Sequence, residues 1–145
     1  MIKKIAIIAS LMVAVASAQA VEVGVNGGTN LSSRENAWGL TLGEKVFGQD
    51  LTLGFNRSTT ADLYSLTNTI QITKIGPVGV GVKFGGVYVD TASSSDGYAA
   101  LAGATFSMPI VKNVTGVVDY TYQSGQDSVS TQNGSRITAG IKYRF

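Results

Sequence analysis

The chain closes on Arg136-Ile137-Thr138-Ala139-Gly140-Ile141-Lys142-Tyr143-Arg144-Phe145. Ile137, Ala139, Ile141, Tyr143 and Phe145 occupy every second position. The positions between them are charged, polar or glycine. Successive side chains of a strand point to opposite faces, so this period of two describes a strand with one apolar and one polar side. On a helix the same residues would be mixed around the girth rather than gathered in a stripe.

The pattern recurs upstream in segments of roughly ten residues separated by turn residues. Counting from the N-terminal side, strands are predicted at residues 21–27, 37–46, 51–57, 63–73, 78–89, 98–108, 114–123 and 136–145. One face of these segments carries Val23, Leu40, Leu53, Leu66, Val82, Ala104 and Ile141. The other carries Thr41, Gly54, Thr67, Gly81, Thr105, Thr121 and Lys142. A soluble sandwich also alternates, with its apolar faces turned inward. Two features favour a transmembrane barrel. The loops alternate between short turns and longer polar segments, with Ser58 to Asp62 a short exception, and both prolines, Pro77 and Pro109, fall in short turns. Aromatics (Trp38, Phe55, Tyr64, Tyr98, Phe106, Tyr122, Tyr143, Phe145) sit near strand ends on the apolar face, with aliphatic residues between them. That is the layout of two interfacial girdles around an aliphatic band.

Three positions fit poorly. Asn68 and Glu44 fall on the apolar face. At Gly85-Gly86 the alternation changes phase, since Val87 and Val89 no longer match Val82 and Phe84; a bulge or bend is expected there.

The first residues have a different character. Lys3 and Lys4 precede an apolar run from Ile5 to Val15, and Ala18-Gln19-Ala20 follows. This is the pattern of a cleaved secretory signal over residues 1–20, with Val21 as the mature N-terminus. The apolar run is too short for a spanning helix. Removing 20 of 145 residues leaves 125, one domain's worth, over 21–145. Removing Lys3 and Lys4 lowers the basic count from 11 to 9, equal to the 9 acidic residues. The mature segment is neutral and lacks the basic patch of a nucleic-acid partner. The sequence has no cysteine and no histidine. Disulfides and thiol chemistry are excluded, and the commonest metal ligand and general base is missing.

Thr138, Gly140, Tyr143 and Phe145 resemble the C-terminal signal of outer-membrane barrel proteins, which ends in spaced hydrophobic residues and a terminal aromatic. With the leader and the eight segments, the whole of 21–145 resembles small eight-stranded outer-membrane β-barrels, the class of the OmpA membrane domain and the OmpX-like proteins. The resemblance implies a closed all-β, antiparallel up-and-down barrel in the cell outer membrane. It also implies contact with outer-membrane lipid and recognition by the barrel-assembly machinery. The peptidoglycan-binding domain that follows the barrel in OmpA proteins is not carried over. The class includes lipid A acyltransferases and deacylases, but these use a histidine, so no enzymatic role and no cofactor or metal is expected.

Function is then sought in the barrel interior. The inward face is expected to carry an ionic cluster of Glu22, Lys45, Lys83, Asp119, Arg136, Lys142 and Arg144. An eight-stranded barrel is just wide enough for side chains to fill it. Strand directions place Asp119 and Lys142 at similar heights on neighbouring strands, and Glu22 beside Arg144 where the barrel closes. The expected role is structural, envelope-protective or surface-interacting, without a through-pore. The alternative is a narrow, porin-like channel leaning to anions, since basic residues outnumber acidic ones inside. The outer loops, rich in Ser, Thr and Asn, could meet a surface ligand. Asp62, Asp90, Asp96 and Asp127 suit turn formation and loop solvation.

Overall fold

The structure, a computed structural model, describes residues 21–92, 96–126, 130 and 132–145. Residues 1–20, read from the sequence as a secretory signal, lie outside the described residues, as does Asp127. Eight strands follow in order: β1 Val21–Asn30, β2 Asn36–Val46, β3 Gln49–Arg57, β4 Ala61–Ile75, β5 Val78–Thr91, β6 Gly97–Val111, β7 Val114–Gly125 and β8 Gly134–Arg144. Each pairs antiparallel with its sequence neighbours, and β1 pairs with β8, so the sheet closes into a barrel. Closure removes the unpaired edge that an open sheet would present. The ladders run further into the turns than the apolar pattern does. Once a pair is in register, the next backbone groups find partners whatever their side chains prefer.

At one end the connections are two residues long: Phe47-Gly48, Gly76-Pro77 and Lys112-Asn113. Phe47 and Gly48 both take positive φ, 49° and 79°. A hairpin turn that follows the right-handed twist of its strands requires this at both central positions. At the other end the connections are longer: 31–35, 58–60, 92–96 and 126–133.

The distribution of apolar residues excludes the sandwich. Val25, Leu40, Leu66, Ile70, Val82, Phe84, Phe106, Val118 and Ile141 all face outward and are exposed, whereas Thr52, Thr67, Thr105, Thr121 and Gln123 are buried inside. Near the long-loop end the aromatic side chains form a continuous outward row across five strands. Trp38, Phe55, Tyr64, Tyr88 and Tyr98 contact in succession, with ring centroids 5.2 to 6.4 Å apart. At the other end Tyr143 and Phe145 meet edge to face at 4.9 Å.

The bulge expected at Gly85-Gly86 is absent. Pairing of β4 with β5 runs unbroken from Ala61↔Thr91 to Gln71↔Gly81, and the irregularity falls between Gln71 and Thr73. A second lies between Pro109 and Val111 on β6. The strand keeps its phase through the two glycines; the sequence changes which face it makes apolar. Val82 and Phe84 point outward, whereas Val87 and Val89 point inward and are buried. Asn68, the polar residue on the apolar face, donates to the Gln49 side chain at the short-turn end.

Candidate functional site

The interior is stratified along the barrel axis. At the long-loop mouth three loops are tied together. The Gln132 amide donates to the Thr60 hydroxyl at 2.9 Å and to Glu35 at 3.3 Å. Thr60 donates to the Glu35 carboxylate at 2.8 Å. The Asn30 amide donates to the Gln132 carbonyl, and its Oδ1 accepts from the backbone of Ser32 and Ser33. Asn30 and Gln132 are both buried, so together they form a polar lid.

Beneath the lid lies an apolar layer of Ala61, Leu63, Val87, Val89 and Ala99, with Leu101 packed against it. Register explains the cluster: Leu63 stands opposite Val89, and Val87 opposite Ala99. These are the inward positions at the long-loop ends of β4, β5 and β6. Leu63 is 1% exposed and Val89 is fully buried. A layer packed this tightly offers no hydrogen bonds to water, and water has little reason to enter it.

Below the apolar layer the lumen is ionic. Lys83 on β5 pairs with Asp119 on β7, reaching across β6. Gly103 stands opposite Lys83 on the intervening strand and presents no side chain to block it. A Cβ there would lie 2.0 Å from the Tyr120 carbonyl oxygen. Asn26, Thr41, Thr52, Thr138 and Lys142 complete the wall of a cavity of about 20 Å³. That is room for roughly one water. Asn26 Oδ1 and Asp119 Oδ1 are buried acceptors without a protein donor. They suit a single bridging water, since buried polar atoms are costly unless paired. At the short-turn rim Arg144 donates to Glu22 at 2.9 Å. Lys45 stands opposite Asp50 across β2 and β3.

The structure therefore divides the seven charged residues read from the sequence into three groups. Glu22, Arg144 and Lys45 lie at the short-turn rim. Lys83, Asp119 and Lys142 meet mid-lumen around the small cavity. Arg136 stands apart near the lid, opposite Asn30 and Thr121, and is 9% exposed. Glu22 and Arg144 pair as expected. The expected pairing of Asp119 with Lys142 does not occur. On β8, Asp119 faces Thr138, whereas Lys142 faces Thr115, two inward positions nearer the short-turn end. Lys83 crosses the glycine gap to take the carboxylate. Simple adjacency of strands favoured Lys142; the missing side chain at Gly103 favoured Lys83.

In the C-terminal motif, Thr138 lines the small cavity and Gly140 lies where a Cβ would come within 2.4 Å of the Val25 carbonyl oxygen. Tyr143 and Phe145 face outward, and the Phe145 amide donates to the Val21 carbonyl at 3.0 Å. The apolar layer was not among the residues singled out from the sequence. Its signal was present as apolar residues on the otherwise polar face of three successive strands.

This is the architecture of the small eight-stranded outer-membrane barrels. The N-terminal β-barrel domain of Pseudomonas aeruginosa OprF superimposes with a TM-score of 0.67 at 17% identity, over 88% of this chain and 98% of that one. Neisserial surface protein A (NspA) gives 0.55 at 15% identity, over 87% and 95%. A de novo designed transmembrane β-barrel gives 0.64 at 15% identity, over 89% and 98%. No protein-family profile matches the chain, and no curated protein sequence does. Likeness at these identities concerns the fold. A barrel made by design shares it, so the role must be argued from the lumen and the outer surface.

Proposed function

We propose that the protein is an integral outer-membrane barrel with a structural, envelope-integrity or surface-interaction role and no through-pore. The observation that carries this is the apolar layer of Leu63, Val87, Val89, Ala61 and Ala99 beneath a hydrogen-bonded loop lid. An ion crossing the lumen would have to pass the packed side chains of Leu63, Val87 and Val89, which offer it no ligands along the wall formed by β4, β5 and β6. The exposed aliphatic band and aromatic row support placement in lipid with β-strands spanning it. With both termini at the short-turn end, that end faces the periplasm and the loops face outward. Assembly by the barrel-assembly machinery is part of the same proposal and rests on Thr138, Gly140, Tyr143 and Phe145. No enzymatic role is proposed, because the sequence has neither histidine nor cysteine.

Planar-bilayer recording of the inserted protein tests the sealed lumen. Silence from demonstrably inserted barrels is the expected result. Discrete conductance steps would replace it with the channel reading. In that case Lys83 and Lys142, both lining the small cavity, would make anions the favoured ions.

A further inference from the structure

The outward apolar band has one polar interruption. Glu44 on β2 and Asn68 on β4 both stand opposite Leu51 on β3, so all three share the outer face. Gln49 lies two residues before Leu51 and points the same way. At these heights the outward positions of β5, β6, β7, β8 and β1 carry no charge and no amide. The three polar side chains therefore mark one sector, centred on β3.

Depth makes this sector costly to leave against hydrocarbon. Asn68 stands eight residues before Gly76 of the short turn. At about 3.3 Å per residue and a tilt near 40°, it sits roughly 18–20 Å above that turn. The apolar band of such a barrel is about 25 Å tall, and Asn68 falls within it. Its Oδ1 and Glu44 Oε2 are acceptors without a donor in the chain. Lipid tails supply none.

Donors are present in the same sector. The Asn68 amide donates to Gln49 Oε1. With its oxygen taken, the Gln49 amide keeps its nitrogen for another partner, and Gln49 is exposed at the rim. Spare donors beside spare acceptors make a surface complementary to itself. An isologous contact uses the same patch on both subunits. Two copies inserted in the same direction can be related only by a twofold along the membrane normal. Passed beside β3, that axis sets β2 of one copy against β4 of the other and β3 against β3. Gln49 and Glu44 both lie within three residues of the Phe47-Gly48 turn, so they meet across it at nearly one height.

We infer that this sector is the interface of a parallel twofold dimer, in which Gln49 Nε2 of each copy donates to the Glu44 carboxylate of the other. The terminal torsion of glutamate is soft, so either carboxylate oxygen can turn to the donor. Above these contacts an apolar hollow of about 770 Å³ runs past Leu42, Leu53 and Leu66 on the same strands, with room for leucine side chains of the second copy. The interface rests on the membrane placement proposed for the barrel.

Both are tested with the full chain expressed in a Gram-negative host. The sequence has no cysteine, so a single introduced thiol is the only one. Leu51→Cys lies at the centre of the contact, and Val118→Cys, four strands away on β7, faces outward on the far side. A short bismaleimide applied to isolated outer membranes is expected to link Leu51→Cys into a dimer and to leave Val118→Cys monomeric. Energy transfer between labelled copies diluted in phosphatidylcholine vesicles then reads the strength of the pair. Gln49→Leu should weaken it about tenfold, as two hydrogen bonds of the modest strength found inside membranes. The triple variant Glu44→Leu, Gln49→Leu, Asn68→Leu should be monomeric while keeping the heat-sensitive gel migration of a folded barrel.

A Leu51→Cys chain that stays monomeric in the outer membrane would overturn the interface and leave the placement standing. Its cross-linking to a different protein would overturn the second copy as occupant. Equal linking through Val118→Cys, or a triple variant as dimeric as the wild type, would overturn the choice of face. A wild-type chain absent from the outer membrane would overturn the placement itself, and the interface with it.

Discussion

Asp119 shows how much one side chain carries in a lumen this narrow. Among the described residues it is the sole carboxylate lining the mid-lumen cavity, where Lys83 and Lys142 bring two positive charges. Replacing it strands Lys83, and breaking a buried pair from one side typically costs about 3–5 kcal/mol. Asp119→Ala is therefore expected to lower the urea midpoint of the barrel in lipid vesicles. The double variant Lys83→Met, Asp119→Leu should recover much of the loss. An unchanged midpoint for Asp119→Ala would show the pair to be unimportant. Gly140 makes a different demand, for space. A methyl group there would press on the Val25 carbonyl oxygen, 2.4 Å away, and on the Asn26 side chain. Gly140→Ala should destabilise by roughly 1–3 kcal/mol, the usual cost of overpacking, measured by the same midpoint.

At the scale of strands, the aromatic row is the feature that joins elements. Tyr64 on β4 touches Phe55 on β3 at 5.2 Å and Tyr88 on β5 at 6.4 Å between centroids. Directly opposite pairs are the unit of sheet stabilisation, and aromatic pairs add about 0.5–1.5 kcal/mol beyond area burial. A double-mutant cycle of Phe55→Ala and Tyr64→Ala should return a coupling in that range. A coupling indistinguishable from zero would mean that the rings merely share a height. Strand phase is a second lesson at this scale. Gly85 and Gly86 leave the β5 ladder unbroken, whereas the irregularity on β4 sits at Gln71 to Thr73, where no glycine marks it. Glycine permits a bulge but does not require one.

For the whole molecule, closure and sealing are separate properties with separate tests. A closed barrel should migrate differently on SDS gels before and after boiling and should resist protease in lipid. Helical circular dichroism would contradict it. Sealing should depend on the apolar layer alone. A chain carrying Leu63→Ser, Val87→Ser and Val89→Ser leaves the backbone pairing groups intact but supplies hydroxyls in place of the apolar cluster. It is expected to conduct in planar bilayers while the wild type stays silent. If the triple variant is also silent, the lid of Glu35, Thr60 and Gln132 closes the mouth without help from the layer.

The sequence by itself determined the strand count, the antiparallel order and the outward apolar face. All three follow from a period of two and from the spacing of turns, which are local properties of the chain. It also placed Glu22 beside Arg144, because opposite charges fall on the inward faces of the two strands that must close the barrel. Tertiary structure decided the rest. Asp119 took Lys83 rather than Lys142 because Gly103, on the strand between, leaves the crossing open. Leu63, Val87 and Ala99 became one apolar cluster because strand register brings the inward faces of β4, β5 and β6 to neighbouring heights. Leu42, Leu53 and Leu66 line up on the outer face below the aromatic row because register sets each opposite the next. Each depends on residues far apart in the chain reaching the same height on the barrel, and height is fixed by the register of closed strands, which no single strand contains.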